Sequence, residues 1–215
     1  MKTILLKDAA ALIPDGASVM IGGLMGVGTP ERLVDELVRQ GKRNLTVIAN
    51  DNAIPGIGIG KLISAGAVKR TIASHIGLNP ETQKKMLAGE LEVDLVPQGT
   101  LIERIRAGGF GLGGVLTPTG VGTVVENGKQ RIEVAGKPYL LETALRADFA
   151  LVQAFLADYI GNLYYALTAR NFNPVIAMAA DTVIVEADNI VPVGVIAPDN
   201  VVTPAPVVDY IISHA

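Results

Sequence analysis

Within the first 110 residues, short apolar runs alternate with capped amphipathic stretches, and this alternation narrows the fold to a mostly parallel sheet whose crossovers are helices. Residues 7–13 read as a short helix stopped by Pro14-Asp15-Gly16, and Ala17-Ser18-Val19-Met20-Ile21 as a buried strand ending in glycines. Thr29-Pro30-Glu31 then opens a helix: Thr29 suits the N-cap, Pro30 the first turn and Glu31 the positive helix end. Leu33, Val34, Leu37 and Val38 share one face of it, and Gly41 is a natural stop. The cycle repeats with strands at 45–49, 68–74 and 92–96 and helices at 59–65, 79–89 and 99–106. The expected class is α/β: an open, mostly parallel, Rossmann-like sheet with helices on both faces.

The second half breaks the rhythm. Asn127-Gly128 predicts the turn of a β-hairpin insertion over 124–132. Residues 149–155 read as a strong strand, 163–166 as a weaker one, 183–186 as another, and Asn173-Pro174 starts a helix through 180. Pro192, Pro198, Pro204 and Pro206 exclude a helix or a central strand from the segment that carries them, which is expected to be an apolar arm over the domain or a partner. With no internal repeat and no linker, residues 1–215 read as a single domain.

Apolar residues (AVILMFWYC) make up 49% of the chain and charged residues 18%, against about 25% charged in an ordinary globular domain. Such a surplus of apolar surface points to a partner subunit. A net charge of −3 without a basic stripe argues against nucleic acid. The absence of cysteine removes disulfides, thiolate metal sites and a cysteine nucleophile. No run approaches the roughly 18 apolar residues of a membrane span, and Lys2, Lys7 and Asp8 interrupt the N-terminus too soon for a secretory signal. The expectation is a soluble cytoplasmic protein without a membrane or nucleic-acid partner.

Gly22-Gly23-Leu24-Met25-Gly26-Val27-Gly28 lies between a buried strand and a helix start. A bare-backbone bend there lets a ligand approach N–H groups beside a positive helix end, although a tight crossover would need glycines too. Position favours ligand binding, since sites in open α/β sheets lie outside strand C-termini. Gly109-Phe110-Gly111-Leu112-Gly113-Gly114 matches the dinucleotide fingerprint G-x-G-x-x-G but follows a helix and runs into Thr117-Pro118. It is therefore a false match, better read as a mobile loop near a site. Gly60-Lys61 lacks the rest of a phosphate loop, and no serine sits in a Gly-x-Ser-x-Gly elbow. His75 is as suited to a structural as to a catalytic role, and terminal His214 to neither. With these two histidines and no cysteine, no transition-metal site is expected. Asn50 and Gln98, each after a strand, are placed to hydrogen-bond a ligand or to shape a turn. Glu126, beside the Asn-Gly pair, is a hairpin residue.

Segment 15–30, Asp-Gly-Ala-Ser-Val-Met-Ile-Gly-Gly-Leu-Met-Gly-Val-Gly-Thr-Pro, resembles the first signature of the family I CoA-transferases. It departs at Leu24, where the family pattern has Phe; both are apolar, so altered packing rather than lost binding is implied. The resemblance continues through Ala49-Asn50-Asp51-Asn52-Ala53, Pro97-Gln98-Gly99-Thr100-Leu101, Leu116-Thr117-Pro118-Thr119-Gly120 and Ala169-Arg170-Asn171-Phe172-Asn173. It is most similar to the α (A) subunits of the acetate/acetoacetate and butyrate–acetoacetate enzymes. The resemblance implies a ping-pong transfer through a glutamyl-CoA thioester, with the glutamate in a Ser-Glu-Asn-Gly motif on the β (B) subunit. Val125-Glu126-Asn127-Gly128 lacks that serine, so no catalytic nucleophile is assigned to this chain. What is implied is half a site: residues Gly22, Gly23, Leu24, Met25, Gly26, Val27 and Gly28 would bind coenzyme A, and Gln98 and Asn50 would orient the acyl group. Coenzyme A or acyl-CoA would be a substrate rather than a resident cofactor, and an α2β2 assembly is expected. Two rival readings are a free-standing isomerase or hydrolase using Asp51, Glu103 or His75, and a metabolite-sensing binding module.

Overall fold

A computed structural model of the chain describes residues 2–213; His214 lies outside the described residues. In chain order the elements are β1 (Lys2–Ile4), α1 (Leu6–Ala11), β2 (Ser18–Ile21), α2 (Glu31–Arg39), β3 (Leu45–Asp51), α3 (Ile59–Ser64), β4 (Val68–His75), α4 (Pro80–Leu87), β5 (Glu92–Leu95) and α5 (Gln98–Gly109). They continue with β6 (Gly114–Thr117), β7 (Arg131–Val134), β8 (Lys137–Thr143), β9 (Ala147–Asp158), β10 (Leu163–Tyr164), α6 (Asn173–Ile176), β11 (Ala180–Val191) and β12 (Tyr210–Ile212).

The main sheet runs β1-β12-β11-β9-β2-β3-β4-β5, and every neighbouring pair on that path is parallel; β10 adds antiparallel to β9. Successive side chains divide between the two faces, as strand geometry requires. Val19, Ile21, Val47 and Ala49 pack with Leu33, Leu37, Leu62 and Ile63 under α1, α2 and α3. Met20, Ile48, Val152 and Val185 pack with Leu101, Ile105, Val175 and Ile176 under α5 and α6. The α/β class with helices on both faces is thus the observed one. The chain places β2 to β5 on one side of the sheet and β9, β11 and β12 on the other, so the topology reverses between β2 and β9.

Several local expectations are corrected. Thr29 is not the N-cap of α2: its hydroxyl donates to the Gly22 carbonyl at 3.0 Å, and Pro30 holds the cap position without a side-chain bond. The N-terminus of α2 is capped instead by Glu186 of β11, whose carboxylate accepts from the Arg32 N–H at 3.2 Å and the Leu33 N–H at 2.9 Å. Burial pushes the Glu186 carboxyl above its ordinary range, opposed by these two N–H groups and by the Arg32 charge. Fully burying Leu33, Val34 and Leu37 contributes roughly 5–9 kcal/mol as an upper bound. A side-chain cap is worth about 1 kcal/mol, so packing carries this helix.

The hairpin is real but displaced. Residues Val124–Glu126 form a 3₁₀ turn, with the Thr123 hydroxyl accepting from the Val125 N–H at 3.2 Å and Glu126 accepting from the Gly122 N–H at 2.6 Å. The hairpin turn lies further on, joining β7 to β8 at Ala135 and Gly136, with φ of 50° and 73°. β6, β8 and β7 form a separate three-stranded antiparallel sheet. The expected C-terminal arm also ends differently: after Pro206 the chain enters the main sheet as β12, between β11 and the edge strand β1, and neither β12 nor β1 has a counterpart among the expected elements. The helix expected through residue 180 stops at Ile176, because Ala180 already pairs with Ala147 in the sheet.

Candidate functional site

A cavity of about 400 Å³ opens at the C-terminal ends of β3 and β4, lined by Leu24, Met25, Asn50, Asp51, Ser74, His75, Leu78 and Gln98. The bend at 22–28, Asn50 and Gln98, three separate sequence candidates, therefore meet at one place. Two of its polar members, Asn50 and Asp51, are the last residues of β3 rather than loop residues, and Gln98 is the first residue of α5. No sequence motif marks Ser74 or Leu78 as lining residues.

The bend is built from within. Gly22 leaves β2 with its N–H on the Leu151 carbonyl at 3.1 Å. A Cβ on Gly22 would stand 1.8 Å from Oδ1 of Asn173, so the close approach of that buried amide accounts for the glycine. Asn173 is fully used: Nδ2 donates to the carbonyls of Gly28 at 2.8 Å and Ala169 at 3.0 Å, and Oδ1 accepts from the Gln153 N–H at 3.0 Å. Leu24 and Val27 exchange N–H···O bonds of 3.0 and 2.9 Å around a two-residue turn at Met25 and Gly26, whose φ values are 52° and 90°. The Met25 N–H points inward to the Asp51 carboxylate, 3.0 and 3.2 Å from its two oxygens. The bare-backbone cradle is thus narrower than the glycine count implied. The N–H groups of Gly22, Leu24, Met25 and Val27 are engaged within the chain, whereas those of Gly26 and Gly28, both partly exposed, have no acceptor among the described residues; Gly23 is buried against Thr29. The side chains of Met25 and Val27 stand at the tip, 49% and 57% exposed.

The polar wall is a directed chain. Asp51, 5% exposed, also accepts from the Ala53 N–H at 2.7 Å and from Nδ2 of Asn50 at 2.8 Å. Asn50 Oδ1 in turn accepts from Gln98 Nε2 at 2.5 Å, and the Ser74 hydroxyl donates to the Asn50 carbonyl at 2.6 Å. Asp51, an acceptor only, forces Asn50 to present Nδ2 to it and Oδ1 to Gln98. Gln98, exposed at the cavity, has no partner among the described residues for its Oε1 and one N–H, and α5 opens there on Pro97 without a side-chain cap. A helix N-terminus and an oriented amide favour developing negative charge without adding a cation.

Of the rival acid–base candidates, Asp51 and His75 line the cavity and Glu103 does not. Asp51 is held by two backbone N–H groups and one amide, so its carboxylate oxygens are occupied within the chain and serve the local structure. Glu103 pairs with Arg106 on α5 at 3.0 Å. Glu126 lies in the 3₁₀ turn with Arg131 at 3.4 Å. The stretch 109–114 is not a loop at the site: Gly109 is the last residue of α5, about 16 Å along the helix from Gln98, and Gly114 starts β6. Among the described residues no group of three or more His, Asp or Glu is placed to hold a metal ion, and no helix is long and apolar enough to cross a membrane.

The sequence model of the coenzyme A transferase family matches residues 3–214. The chain is 58% identical over 211 residues to the acetate CoA-transferase subunit alpha of Escherichia coli (strain K12), covering 98% of this chain and 96% of that protein. It is 51% identical over 213 residues to the acetoacetyl-CoA:acetate/butyrate CoA transferase alpha subunit of Clostridium acetobutylicum, covering 99% and 98%. Among solved structures, an acyl-CoA transferase of Escherichia coli O157:H7 in a thioester complex with CoA superposes with a TM-score of 0.87 at 23% identity; the match covers 98% of this chain and 46% of that longer one. Glutaconate coenzyme A-transferase of Acidaminococcus fermentans gives a TM-score of 0.83 at 22% identity, covering 99% and 76%. At these identities the two structures speak to the fold.

Proposed function

Since this chain belongs to the coenzyme A transferase family, we propose that it is the α subunit of a short-chain 3-oxoacid or acetate CoA-transferase that supplies half of a site shared with a β subunit. The observation that carries this reading is the cavity itself. It offers oriented donors, Gln98 and the α5 N-terminus, yet its one carboxylate, Asp51, is committed to Met25, Ala53 and Asn50. A site with donors for an oxyanion and no available carboxylate of its own needs the nucleophile from elsewhere. The names of the similar α subunits support a second chain as that source.

In the proposed cycle a glutamate carboxylate of the partner subunit attacks the acyl-CoA carbonyl, expels CoA thiolate and becomes an acyl–glutamyl anhydride. The thiolate then attacks the glutamyl carbonyl, releasing the first acid and leaving a glutamyl-CoA thioester. An incoming carboxylate attacks that thioester, and the same two steps run in reverse to deliver the new acyl-CoA. Residues 22–28 of this chain would bear on coenzyme A through Gly26, Gly28 and the tip side chains. Gln98 would direct an N–H at the acyl oxygen, and Asn50, itself held by Asp51, would fix the Gln98 amide. Two αβ units would form α2β2.

The test is co-expression with the adjacent reading frame and assay of CoA transfer from acetoacetyl-CoA to acetate or butyrate. Transfer by the complex and by neither chain alone is expected; turnover by this chain alone would contradict the proposal.

A further inference from the structure

The cavity has two characters. Asn50, Asp51, Ser74, His75 and Gln98 supply its polar lining and Leu24, Met25 and Leu78 its apolar lining, and none of its lining residues is a lysine or arginine. Leu78 is 41% exposed, and a lone exposed leucine on a surface needs no explanation. Here, however, its backbone is pinned on both sides. The next residue, Asn79, is fully buried; its N–H donates to the Ile76 carbonyl at 3.1 Å, its Nδ2 to the Asn52 carbonyl at 3.0 Å, and its Oδ1 accepts from the Thr82 N–H at 3.1 Å. The preceding residue, Gly77, lies against the His75 ring, where a Cβ would come within 2.7 Å of Cε1. The loop therefore holds a large apolar side chain at a cavity where it stays wet until apolar atoms of a ligand arrive.

We propose that Leu78 is a specificity-determining residue: it closes the apolar side of the cavity on the hydrocarbon tail of a short, singly charged carboxylic acid. With no lysine or arginine in the lining, and His75 its one ionisable base, a second carboxylate would sit among Leu24, Met25 and Leu78 and near the Asp51 carboxylate. This inference rests on the reading that the acyl group occupies this cavity. It adds the residue that selects the length of the acid.

The experiment uses the complex of this chain with its β subunit. Transfer from acetoacetyl-CoA is measured to acetate, butyrate, hexanoate and succinate for the wild type, Leu78→Ala and Leu78→Phe. The ratio of kcat/KM for hexanoate over acetate is expected to rise about tenfold in Leu78→Ala and to fall about tenfold in Leu78→Phe, with the change in KM for the acid. Leu78→Val, a smaller truncation, is the fallback if either variant fails to assemble; it is expected to move the ratio about threefold toward hexanoate. Ratios within twofold of wild type in active variants would overturn the role of Leu78. Succinate equal to butyrate in the wild type would overturn the singly charged class. A wild-type complex with no transfer to any acid would instead overturn the functional reading beneath both.

Discussion

Residues 22–28 leave the end of β2 and fold over the cavity; residues 109–114 leave the far end of α5 and lead into the three-stranded sheet. By spacing alone, 109–114 fits a ligand fingerprint and 22–28 does not, yet the elements that flank them already favour 22–28. The structure gives the physical reason. Gly22 is needed because the Asn173 amide lies where a Cβ would go, and Asn173 also holds Gly28, so both ends of the bend at 22–28 are clamped at a strand C-terminus. Gly109 is needed because α5 packs on Met178, whose Cβ would be 2.8 Å from one on the glycine. A run of glycines thus takes its meaning from the element it follows. After a parallel strand it faces the open crevice of the sheet; after a helix it serves packing.

The contrast can be broken or sharpened by substitution. The largest effect is expected for Gly22→Ala. A contact of 1.8 Å with a buried, fully bonded amide should cost about 3 kcal/mol or more in urea unfolding, and transfer should be lost with it. Gln98→Ala should divide the expectation differently. As an exposed residue it should leave stability within about 0.5 kcal/mol of wild type, while kcat in the assembled complex falls about a hundredfold. Equal loss in both quantities would make Gln98 a structural residue. Gly109→Ala should lower stability by about 1–2 kcal/mol, yet leave transfer per folded molecule unchanged; a selective loss of kcat would restore a site role to residues 109–114.

The smallest effect concerns α2, which continues the bend at 22–28. Hydrogen bonds from Arg39, then from Gln40, hold the Glu36 carboxyl down to about 2. A depressed carboxyl stabilises the fold fully above the unfolded value of about 4.3 and loses that contribution as the pH falls toward 2. Urea midpoints of wild type and Glu36→Gln should therefore differ at pH 5 and converge toward pH 2. A constant difference would remove Glu36 from the titration.

What is legible in the residues follows the same division. The β–α rhythm, the faces of α2 and the clustering of Asn50 and Gln98 are legible because each depends on near neighbours in sequence and on one rule about sheet edges. Glu186 capping α2 is not, since it lies more than 150 residues from the N–H groups it accepts. The Asn127-Gly128 turn fails because Thr123 and Glu126 satisfy the local backbone as a 3₁₀ turn, while Ala135 takes a positive φ that its side chain does not advertise. β12 escapes because the prolines that exclude a strand stop at Pro206, before Tyr210. Ser74 and Leu78 have no motif; they enter the site only through strand register and the turn locked by Asn79.

The most direct measurement is to incubate the complex of the two subunits with acetoacetyl-CoA, quench it, and map the covalent thioester or its hydroxylamine product by peptide mass spectrometry. The modification should fall on the partner subunit, with Asp51, Glu103 and Glu126 unmodified. An adduct on any carboxylate of this chain would contradict the division of the site between two polypeptides.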